Sequence, residues 1–355
     1  MKKNVFKRTQ TRSVFIAGLQ VGGQNRVIIQ SMCSLKTAKI DAVVQQINEC
    51  ARLGAELMRL AILDQEDALA IKKIKPQVNI PLIADIHFDY RLALLALENG
   101  IDGLRINPGN IGNKEGIKLL VEKAKEKKVP IRIGVNSGSF DREIHDYQKA
   151  YEAKHLLASA QKHVAIFEEL DFHDIVISLK ASDVLTTIAA YRLAAKTFPY
   201  PLHLGITEAG PAEIGIIRSS AGLAPLLLEG LGDTIRISLS ASPQEEIVTA
   251  KRLLHDLGLY PNYPTLISCP TCGRTEVDLI PLAKRVLSYL ETVHLPIKVA
   301  VMGCVVNGPG EAKSADIGIA GGKGRYAIFK KGQVVQTVQE DEAFATFIRE
   351  IEKLK

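Results

Sequence analysis

Short apolar runs alternate with amphipathic segments along the first 260 residues of the chain. The runs are rich in Ile, Val and Leu, which is typical of buried strands, and they predict strands at 26–30, 57–61, 82–86, 103–106, 131–135, 175–179, 202–206 and 234–239. Apolar residues recur at helical spacing in segments that include 42–53, 91–98, 116–127, 184–195, 212–228 and 244–257. Eight strand–helix units of this kind predict a TIM (β/α)8 barrel, with a doubly wound open sheet as the alternative. A β-like segment at 13–16 with a turn at Gly22-Gly23 precedes the repeat, and 140–170 leaves room for an additional helix.

The repeat ends near Gly258, where two closely spaced prolines in residues 260–265 predict a linker. The pattern therefore predicts two domains, a barrel over 1–260 and a small α/β domain over 261–355. The elements predicted in the second domain are a helix at 277–292, strands at 297–301 and 316–320, a glycine-rich turn at 321–324, a hairpin at 326–335 and a final helix at 341–354.

Composition narrows the class of protein. Hydrophobic residues make up 46% of the chain, but no run of 18 apolar residues occurs, so no transmembrane helix is predicted. The basic N-terminus lacks the apolar segment of a signal peptide, and five cysteines, an odd number, argue against a disulfide scaffold. We therefore expect a cytoplasmic protein in which Cys33 and Cys50 are packing residues. A net charge of +6 with no Trp and 5% aromatics favours a small anionic substrate over nucleic acid.

Charged and polar side chains gather where the predicted strands end. They are Arg59, Asp85, His87, Arg105, Asn107, Arg132, Asn136, Lys180, Glu208, Arg236 and Ser238. In a β/α barrel these ends surround the active site, and residues two apart on a strand point the same way. Four arginines and one lysine face only two evident carboxylates there, Asp85 and Glu208, which leaves an excess of about three positive charges. The sequence therefore predicts a phosphate or diphosphate site, unless some of the arginines point outward and pair with helix carboxylates.

Three cysteines follow the linker, a C-x-x-C pair at Cys269 and Cys272 and a single residue at Cys304. Three thiolates are one short of a closed zinc site or an ordinary iron–sulfur site. A redox disulfide explains only the pair, and a structural zinc site and an iron–sulfur cluster both remain open on spacing alone. Glu311 follows Cys304 by seven residues across an Asn-Gly-Pro-Gly turn, so its carboxylate is a candidate for the fourth, exchangeable ligand.

The motifs around these cysteines resemble a known family. Ser-Cys-Pro-Thr-Cys-Gly-Arg at 268–274 and Met-Gly-Cys-Val-Val-Asn-Gly-Pro-Gly-Glu-Ala at 302–312 are similar to the bacterial 4-hydroxy-3-methylbut-2-enyl diphosphate synthases. Ile-Gln-Ser-Met at 29–32, Ala-Asp-Ile-His-Phe at 84–88, Leu-Arg-Ile-Asn-Pro-Gly-Asn at 104–110, Ile-Gly-Val-Asn-Ser-Gly at 133–138 and Thr-Ile-Arg-Ile-Ser-Leu at 234–239 look like that family in the same order. The resemblance covers essentially the whole chain and matches the short two-domain form.

The resemblance implies a TIM barrel that binds 2-C-methyl-D-erythritol 2,4-cyclodiphosphate and a C-terminal domain that carries a 4Fe-4S cluster. It implies cluster ligation by Cys269, Cys272, Cys304 and Glu311. Two electrons from reduced flavodoxin or ferredoxin would open the cyclic diphosphate and remove a hydroxyl group, as a step of the non-mevalonate isoprenoid pathway. The resemblance also implies a homodimer in which the cluster of one chain caps the barrel of the other.

The same resemblance assigns roles within the barrel. It implies that substrate is bound by Arg59, Asp85, Arg105, Asn107, Arg132, Asn136, Lys180, Arg236 and Ser238. His87 and Glu208 would sit near the reacting carbons, with Glu208 a candidate proton donor and Glu311 acting from the cluster side.

Two other classes of function remain as alternatives. A phosphate-binding barrel with a structural zinc module would act as a sensor or scaffold, and would contain zinc rather than iron. A pterin- or phosphosugar-binding transferase explains the barrel but gives the three cysteines no role.

Overall fold

The computed structural model describes residues 7–107, 109, 111, 113–136, 149–293, 295–304 and 312–354, with only the backbone of 136 and 149–151. Two compact units divide the chain, Met1–Leu259 and Tyr260–Lys355.

The first unit is a closed parallel barrel, which confirms the predicted TIM fold. Its eight strands are β3 (Ile28–Met32), β4 (Leu57–Ile62), β5 (Leu82–Ile86), β6 (Gly103–Ile106), β7 (Ile131–Asn136), β8 (Ile175–Lys180), β9 (His203–Leu204) and β10 (Thr234–Ile235). Each strand from β3 to β7 pairs with the next in sequence, β9 pairs with β10, and β10 also pairs with β3. A parallel bridge between Ile177 and Leu202 joins β8 to the start of β9 and completes the ring.

Helices follow the strands and cover the barrel. They are α1 (Ile40–Leu53), α2 (Gln65–Ile74), α3 (Tyr90–Glu98), α4 (Lys114–Lys127), α5 (Lys149–Glu169), α6 (Val184–Thr197), α7 (Ala212–Leu228) and α8 (Pro243–Asp256). Several begin at a side chain that accepts a hydrogen bond from an unpaired backbone N–H of the first turn, as Asp64, Asn113, Asp183 and Ser242 do. These caps fix where each helix starts after its strand, and because the strands are parallel the strand-to-helix loops all lie on one end of the barrel.

An N-terminal hairpin closes the other end of the barrel. Its strands, β1 (Val14–Ile16) and β2 (Leu19–Val21), are antiparallel. Val14, Ile16 and Val21 pack against interior residues of the barrel strands, among them Ile28 and Leu57. Burial of this apolar cluster seals the floor of the barrel, so only the opposite end, where the strands finish, is open to a ligand.

Four elements differ from the sequence prediction. β9 and β10 have two residues each, because the chain leaves the ladder early and enters irregular loops beyond Leu204 and Ile235. The helix within 140–170 is α5, which is the ordinary partner of β7 rather than an addition. A strand also occupies Thr265–Ser268, at the end of the segment predicted to be a linker.

In the described residues of the second unit, a five-stranded sheet carries two helices on one face. In the order of the sheet, the strands are β11 (Thr265–Ser268), β12 (Lys298–Met302), β13 (Ile317–Gly322), β14 (Arg325–Lys330) and β15 (Gln333–Gln339). The helices α9 (Leu279–Leu290) and α10 (Glu340–Glu352) supply Val286, Leu290 and Phe347 to the core. β11, β12 and β13 are parallel, so all three end at the same edge of the sheet. No helix in the described part of the chain is both long and apolar enough to cross a membrane.

Candidate active site

The open end of the barrel holds a strongly cationic cavity of about 180 Å³. Its walls come from five barrel strands, β4 to β8, and from the loops after β5, β9 and β10. The lining residues are Arg59, Asp85, His87, Arg105, Arg132, Ser178, Lys180, Thr207, Arg236 and Ser238. All five predicted cations therefore lie around one space, and Ser178 and Thr207 are lining residues that the sequence analysis did not select.

Asp85 holds two of the arginines in place. Its carboxylate lies 3.3 Å from Arg59 Nε and 3.1 Å from Arg105 Nη1, and His87 Nε2 is 3.5 Å away. Burial alone would raise the pKa of Asp85, but Arg59, the hydrogen bond with His87 and Arg105 outweigh it and hold that pKa well below its usual range. Asp85 is therefore ionised at any physiological pH, and its charge is already used by neighbouring protein groups.

Lys180 and Arg132 are buried cations with few counter-charges. Burial, reinforced by repulsion from the neighbouring arginines, lowers the pKa of both groups well below their ordinary values. Arg132 Nη1 donates to Gln30 Oε1, a neutral acceptor, and Arg132 Nε has no partner among the described residues. Burial also lowers the pKa of Arg59, to about 10, against the attraction of Asp85. An anion entering the cavity would relieve this repulsion, so the cavity is suited to anion binding.

Two glycines let the cations lie against the barrel backbone. A Cβ at Gly134 would stand 2.5 Å from Arg105 Nε, and one at Gly205 would stand 2.6 Å from Lys180 Nζ. Any larger residue would push these side chains away, so Gly134 and Gly205 set the depth at which Arg105 and Lys180 lie.

The second carboxylate at the mouth is Glu246 rather than Glu208. Glu246, on α8, lies 3.2 Å from Arg236 Nη2 and is almost completely buried. Glu208 is exposed in the loop after β9, with a backbone φ of 55°. The expectation that Glu208 neutralises the arginines is therefore wrong, although the excess of about three positive charges is unchanged. The sequence does contain a signal that Glu246 is buried, because it shares a helical face with the apolar positions 250 and 254.

The remaining predicted barrel residues take different places. Ser238 lines the cavity beside Arg236, as expected from their spacing. Asn107 is buried beside the mouth without lining the cavity, and its Oδ1 accepts a hydrogen bond from Gly109 N at 3.2 Å. Asn136 ends β7, but its side chain lies outside the described residues.

The cysteine motifs meet at one edge of the second unit. Cys269 directly follows β11 and Cys304 follows β12, and these two parallel strands are paired, with Ser268 opposite Val301. Gly303 N donates a hydrogen bond to Cys269 Sγ at 3.2 Å, which joins the two loops. Cys272 lies on the exposed loop between β11 and α9. Its backbone N–H donates a hydrogen bond to Thr275 Oγ1 at 3.1 Å.

These residues fit a soft metal centre in their chemistry. All three thiols are free, and a backbone N–H directed at a sulfur is the kind of contact that stabilises a metal-bound thiolate. Within the described ranges, no three His, Cys, Asp or Glu side chains are close enough together to hold one metal ion. The predicted fourth ligand, Glu311, lies outside the described residues.

Comparisons with known proteins agree with this two-unit organisation. The model of the GcpE TIM-barrel domain matches residues 11–251, and the model of the GcpE protein C-terminal domain matches residues 265–353. The 4-hydroxy-3-methylbut-2-en-1-yl diphosphate synthase (flavodoxin) of Geobacillus thermodenitrificans is 52% identical over 99% of this chain and 94% of its own length. The protein of the same name from Bacillus cereus strain G9842 is 53% identical over 98% of this chain and 92% of its own length.

Solved structures are similar to the barrel alone. Dihydropteroate synthase from Stenotrophomonas maltophilia superposes with a TM-score of 0.52 at 12% identity, covering 69% of this chain and 98% of that one. A Plasmodium falciparum HPPK-DHPS chain gives 0.51 at 13% identity, covering 70% of this chain and 48% of that one. Identities this low show a shared barrel fold and nothing of the chemistry. The two family models and the relatives above half identity confirm the family resemblance, and this chain belongs to the GcpE family.

Proposed function

We propose that this protein reductively opens 2-C-methyl-D-erythritol 2,4-cyclodiphosphate and removes a hydroxyl group, giving 4-hydroxy-3-methylbut-2-enyl diphosphate. The chain is an enzyme of the GcpE family, and its relatives carry the name of the synthase in the non-mevalonate pathway. The observation that carries the proposal is the cavity with five cations and an excess of about three positive charges. A cyclic diphosphate brings about two negative charges, which this excess would compensate.

The substrate would be held mainly by groups whose charge the protein leaves unpaired. Lys180 and Arg132 are the strongest candidates, because both are buried and the described residues show no carboxylate pairing with either. Arg59, Arg105 and Arg236 would add guanidinium donors, each fixed by a carboxylate. Ser238 and the side chains of Asn107 and Asn136 would contribute neutral hydrogen bonds. Asp85 would act through Arg59 and Arg105, since its own charge would repel a phosphate.

The second unit would hold a 4Fe-4S cluster through Cys269, Cys272, Cys304 and Glu311. The support is the set of three free thiols, of which Cys269 and Cys304 follow paired strands at one sheet edge, together with the family motifs around them. When bound, such a cluster supplies electrons one at a time, and its carboxylate-ligated iron can act as a Lewis acid. Reduced flavodoxin is the proposed donor because the relatives carry it in their names, with ferredoxin as the alternative. Five free cysteines support a reducing, cytoplasmic location.

Two barrel residues are proposed to act near the reacting carbons. His87 is partly exposed at the mouth, and its Nε2 lies 2.9 Å from Arg105 Nη1. This contact orients the imidazole toward the cavity that it lines. Glu208 has no such anchor among the described residues and stands exposed on the rim, where a carboxyl group can exchange protons with water.

The proposal is tested by anaerobic preparation of the whole chain. We expect iron and sulfide near four per chain, as a 4Fe-4S cluster requires, and turnover of the cyclic diphosphate with a strong reductant. The control is the same protein after removal of iron, which should bind inorganic pyrophosphate but not turn over. About one zinc per chain, with no iron and no turnover, would contradict the proposal and favour a structural metal module.

A shared active site in a homodimer is part of the same proposal. Large apolar side chains are exposed near the mouth of the barrel, Leu63 and Phe88 in the loops after β4 and β5 and Ile214 and Ile217 at the start of α7. Exposed apolar groups around a charged cavity are typical of a surface that another protein unit covers. We propose that the cysteine-bearing unit of a second copy covers this rim.

Mixing two inactive variants checks the shared site. Cys304→Ser removes a cluster ligand and Arg105→Met removes a cation of the cavity, so each homodimer should be inactive. Random exchange of subunits should restore about a quarter of the wild-type activity, because half of the dimers would then contain one intact site of two. Each variant incubated alone is the control. If cluster and cavity of the same chain work together, the mixture will stay as inactive as its components.

A further inference from the structure

Glu246 is a buried carboxylate that joins the first and the last strand of the barrel. Its Oε2 accepts a hydrogen bond from Ser31 Oγ at 2.7 Å, and Ser31 belongs to β3. Its Oε1 accepts from Leu239 N at 3.1 Å, in the loop after β10. The side chain does not line the cavity, so it has no direct contact to offer a ligand there.

The same carboxylate fixes one particular edge of the Arg236 guanidinium. Arg236 Nε lies 3.3 Å from Oε2, and Arg236 Nη2 lies 3.2 Å from Oε1. This two-point contact defines the plane of the guanidinium, which a single contact would leave free to rotate. With Nε and Nη2 engaged, Nη1 is the remaining nitrogen.

Among the described residues, Nη1 of Arg236 has only a weak acceptor. It lies 3.6 Å from Met32 Sδ, the thioether that also accepts from Arg59 Nε at 3.1 Å. A thioether sulfur is a much poorer acceptor than a phosphate oxygen. A phosphate reaching Nη1 would therefore replace a weak interaction with a strong one, and Arg236 would not have to leave Glu246.

We infer that Glu246 is a positioning residue, which holds Arg236 so that Nη1 is presented to the diphosphate of the substrate. The inference rests on the proposed function for the identity of the anion. In this role Glu246 neither contacts the substrate nor transfers a proton. Its effect on substrate binding is exerted through Arg236.

Charge and geometry make opposite predictions for this residue. If Glu246 acted only as a negative charge near the cavity, removing the charge would strengthen anion binding. If it acts by fixing Arg236, removing one acceptor oxygen weakens anion binding despite the favourable change in charge. Replacing Glu246 with aspartate separates the charge effect from the geometric effect further. Aspartate keeps the negative charge, but its carboxylate ends about 1.5 Å farther from Arg236.

The test measures the affinity of the holoenzyme for inorganic pyrophosphate by calorimetry, together with kcat and KM for the cyclic diphosphate. We expect Glu246→Gln and Glu246→Asp each to weaken pyrophosphate binding about tenfold, with KM rising more than kcat falls. In an Arg236→Lys background, which lacks the planar fork, Glu246→Gln should have almost no further effect. Glu245→Gln removes the same charge from the exposed neighbouring position of α8 and should leave affinity unchanged.

Tighter binding by Glu246→Gln, or unchanged binding by Glu246→Asp, would overturn the inference. So would an effect of Glu246→Gln that persists undiminished beside Arg236→Lys, since it would not pass through Arg236. If the Glu246 variants fail to fold, Ser31→Ala removes one of the hydrogen bonds that hold Oε2. Ser31→Ala should weaken pyrophosphate binding severalfold in the wild-type background and have no effect in the Arg236→Lys background. Equal effects in both backgrounds would contradict the inference. Wild-type protein that binds no pyrophosphate would instead refute the proposed phosphate site.

Discussion

Replacing Cys304 with serine is expected to abolish cluster binding and to lower turnover by about a thousandfold or more. Cys304 is buried at the end of β12, beside the loop that carries Cys269. A hydroxyl is a hard and weakly acidic ligand, so it does not replace a thiolate on iron. Iron and sulfide analysis of anaerobically purified protein measures the first effect, and turnover with excess reductant measures the second.

Cys33→Ser is the matched control, because it removes a sulfur from the barrel instead. Cys33 is buried, and burial raises the pKa of its thiol to about 12, so it stays protonated and does not act as a thiolate. We expect this variant to keep its full iron content. Pyrophosphate affinity should be the same in Cys304→Ser as in wild type, and a loss of affinity there would show that the barrel was damaged as well. Normal iron in Cys304→Ser would remove this residue from the proposed ligand set.

Asp85→Asn is expected to be strongly destabilising as well as inactive. The change leaves Arg59 and Arg105 buried without their shared counter-charge, and removing one partner of a buried ion pair typically costs about 3–5 kcal/mol. Since the pKa of Asp85 is lowered by folding, the ionised carboxylate stabilises the native state above the unfolded-state pKa of about 4. That contribution is lost as pH falls below this value.

Denaturant unfolding of both proteins between about pH 8 and pH 3 measures the effect. The difference in free energy of unfolding should be constant above about pH 5 and should shrink as the solution becomes more acidic. Asp174→Asn, which changes an exposed carboxylate before β8, is the control and should differ little from wild type at any pH. A difference that stayed constant down to pH 3 would mean that the Asp85 charge is not the cause.

The barrel and most of its cationic residues are predictable from sequence for a geometric reason. All strands of a parallel barrel end on the same side, so polar residues after successive apolar runs must gather there whatever the details of packing. That argument locates Arg59, Arg105, Arg132, Lys180 and Arg236 without any knowledge of their rotamers.

The counter-charges are harder to predict, because they depend on which way a helix faces. Glu245 and Glu246 are adjacent in sequence, and one is exposed while the other is buried against Arg236. Only the orientation of α8 on the barrel distinguishes them. Glu208 follows a strand, so the rule that polar residues after strands gather at the mouth places it beside the arginines. The chain, however, leaves the strand ladder after Leu204, and Glu208 lies exposed with a positive φ.

The strand that ends just before Cys269 is hard to predict for a different reason. Thr265–Ser268 is only four residues long, and its side chains are half-buried or exposed, so it shows no clear alternation of apolar and polar positions. Pro261 and Pro264 lie just before the strand, and two closely spaced prolines are typical of a linker. Its identity as a strand comes from pairing with β12, which is a tertiary contact. The sequence therefore predicts that the three cysteines form one site. It does not predict the pairing of β11 with β12, which brings Cys269 and Cys304 to the same edge of the sheet.

The two glycines beneath Arg105 and Lys180 have a consequence for inhibitors. Because a glycine of the barrel backbone lies directly beneath each of these two cations, the barrel itself sets how deep they lie and how far apart they stand. A rigid array with an excess of about three positive charges favours compounds with permanent negative charges at a fixed spacing, such as bisphosphonates. Neutral substitutes for phosphate would leave the buried charges uncompensated, and would bind poorly however well they filled the cavity.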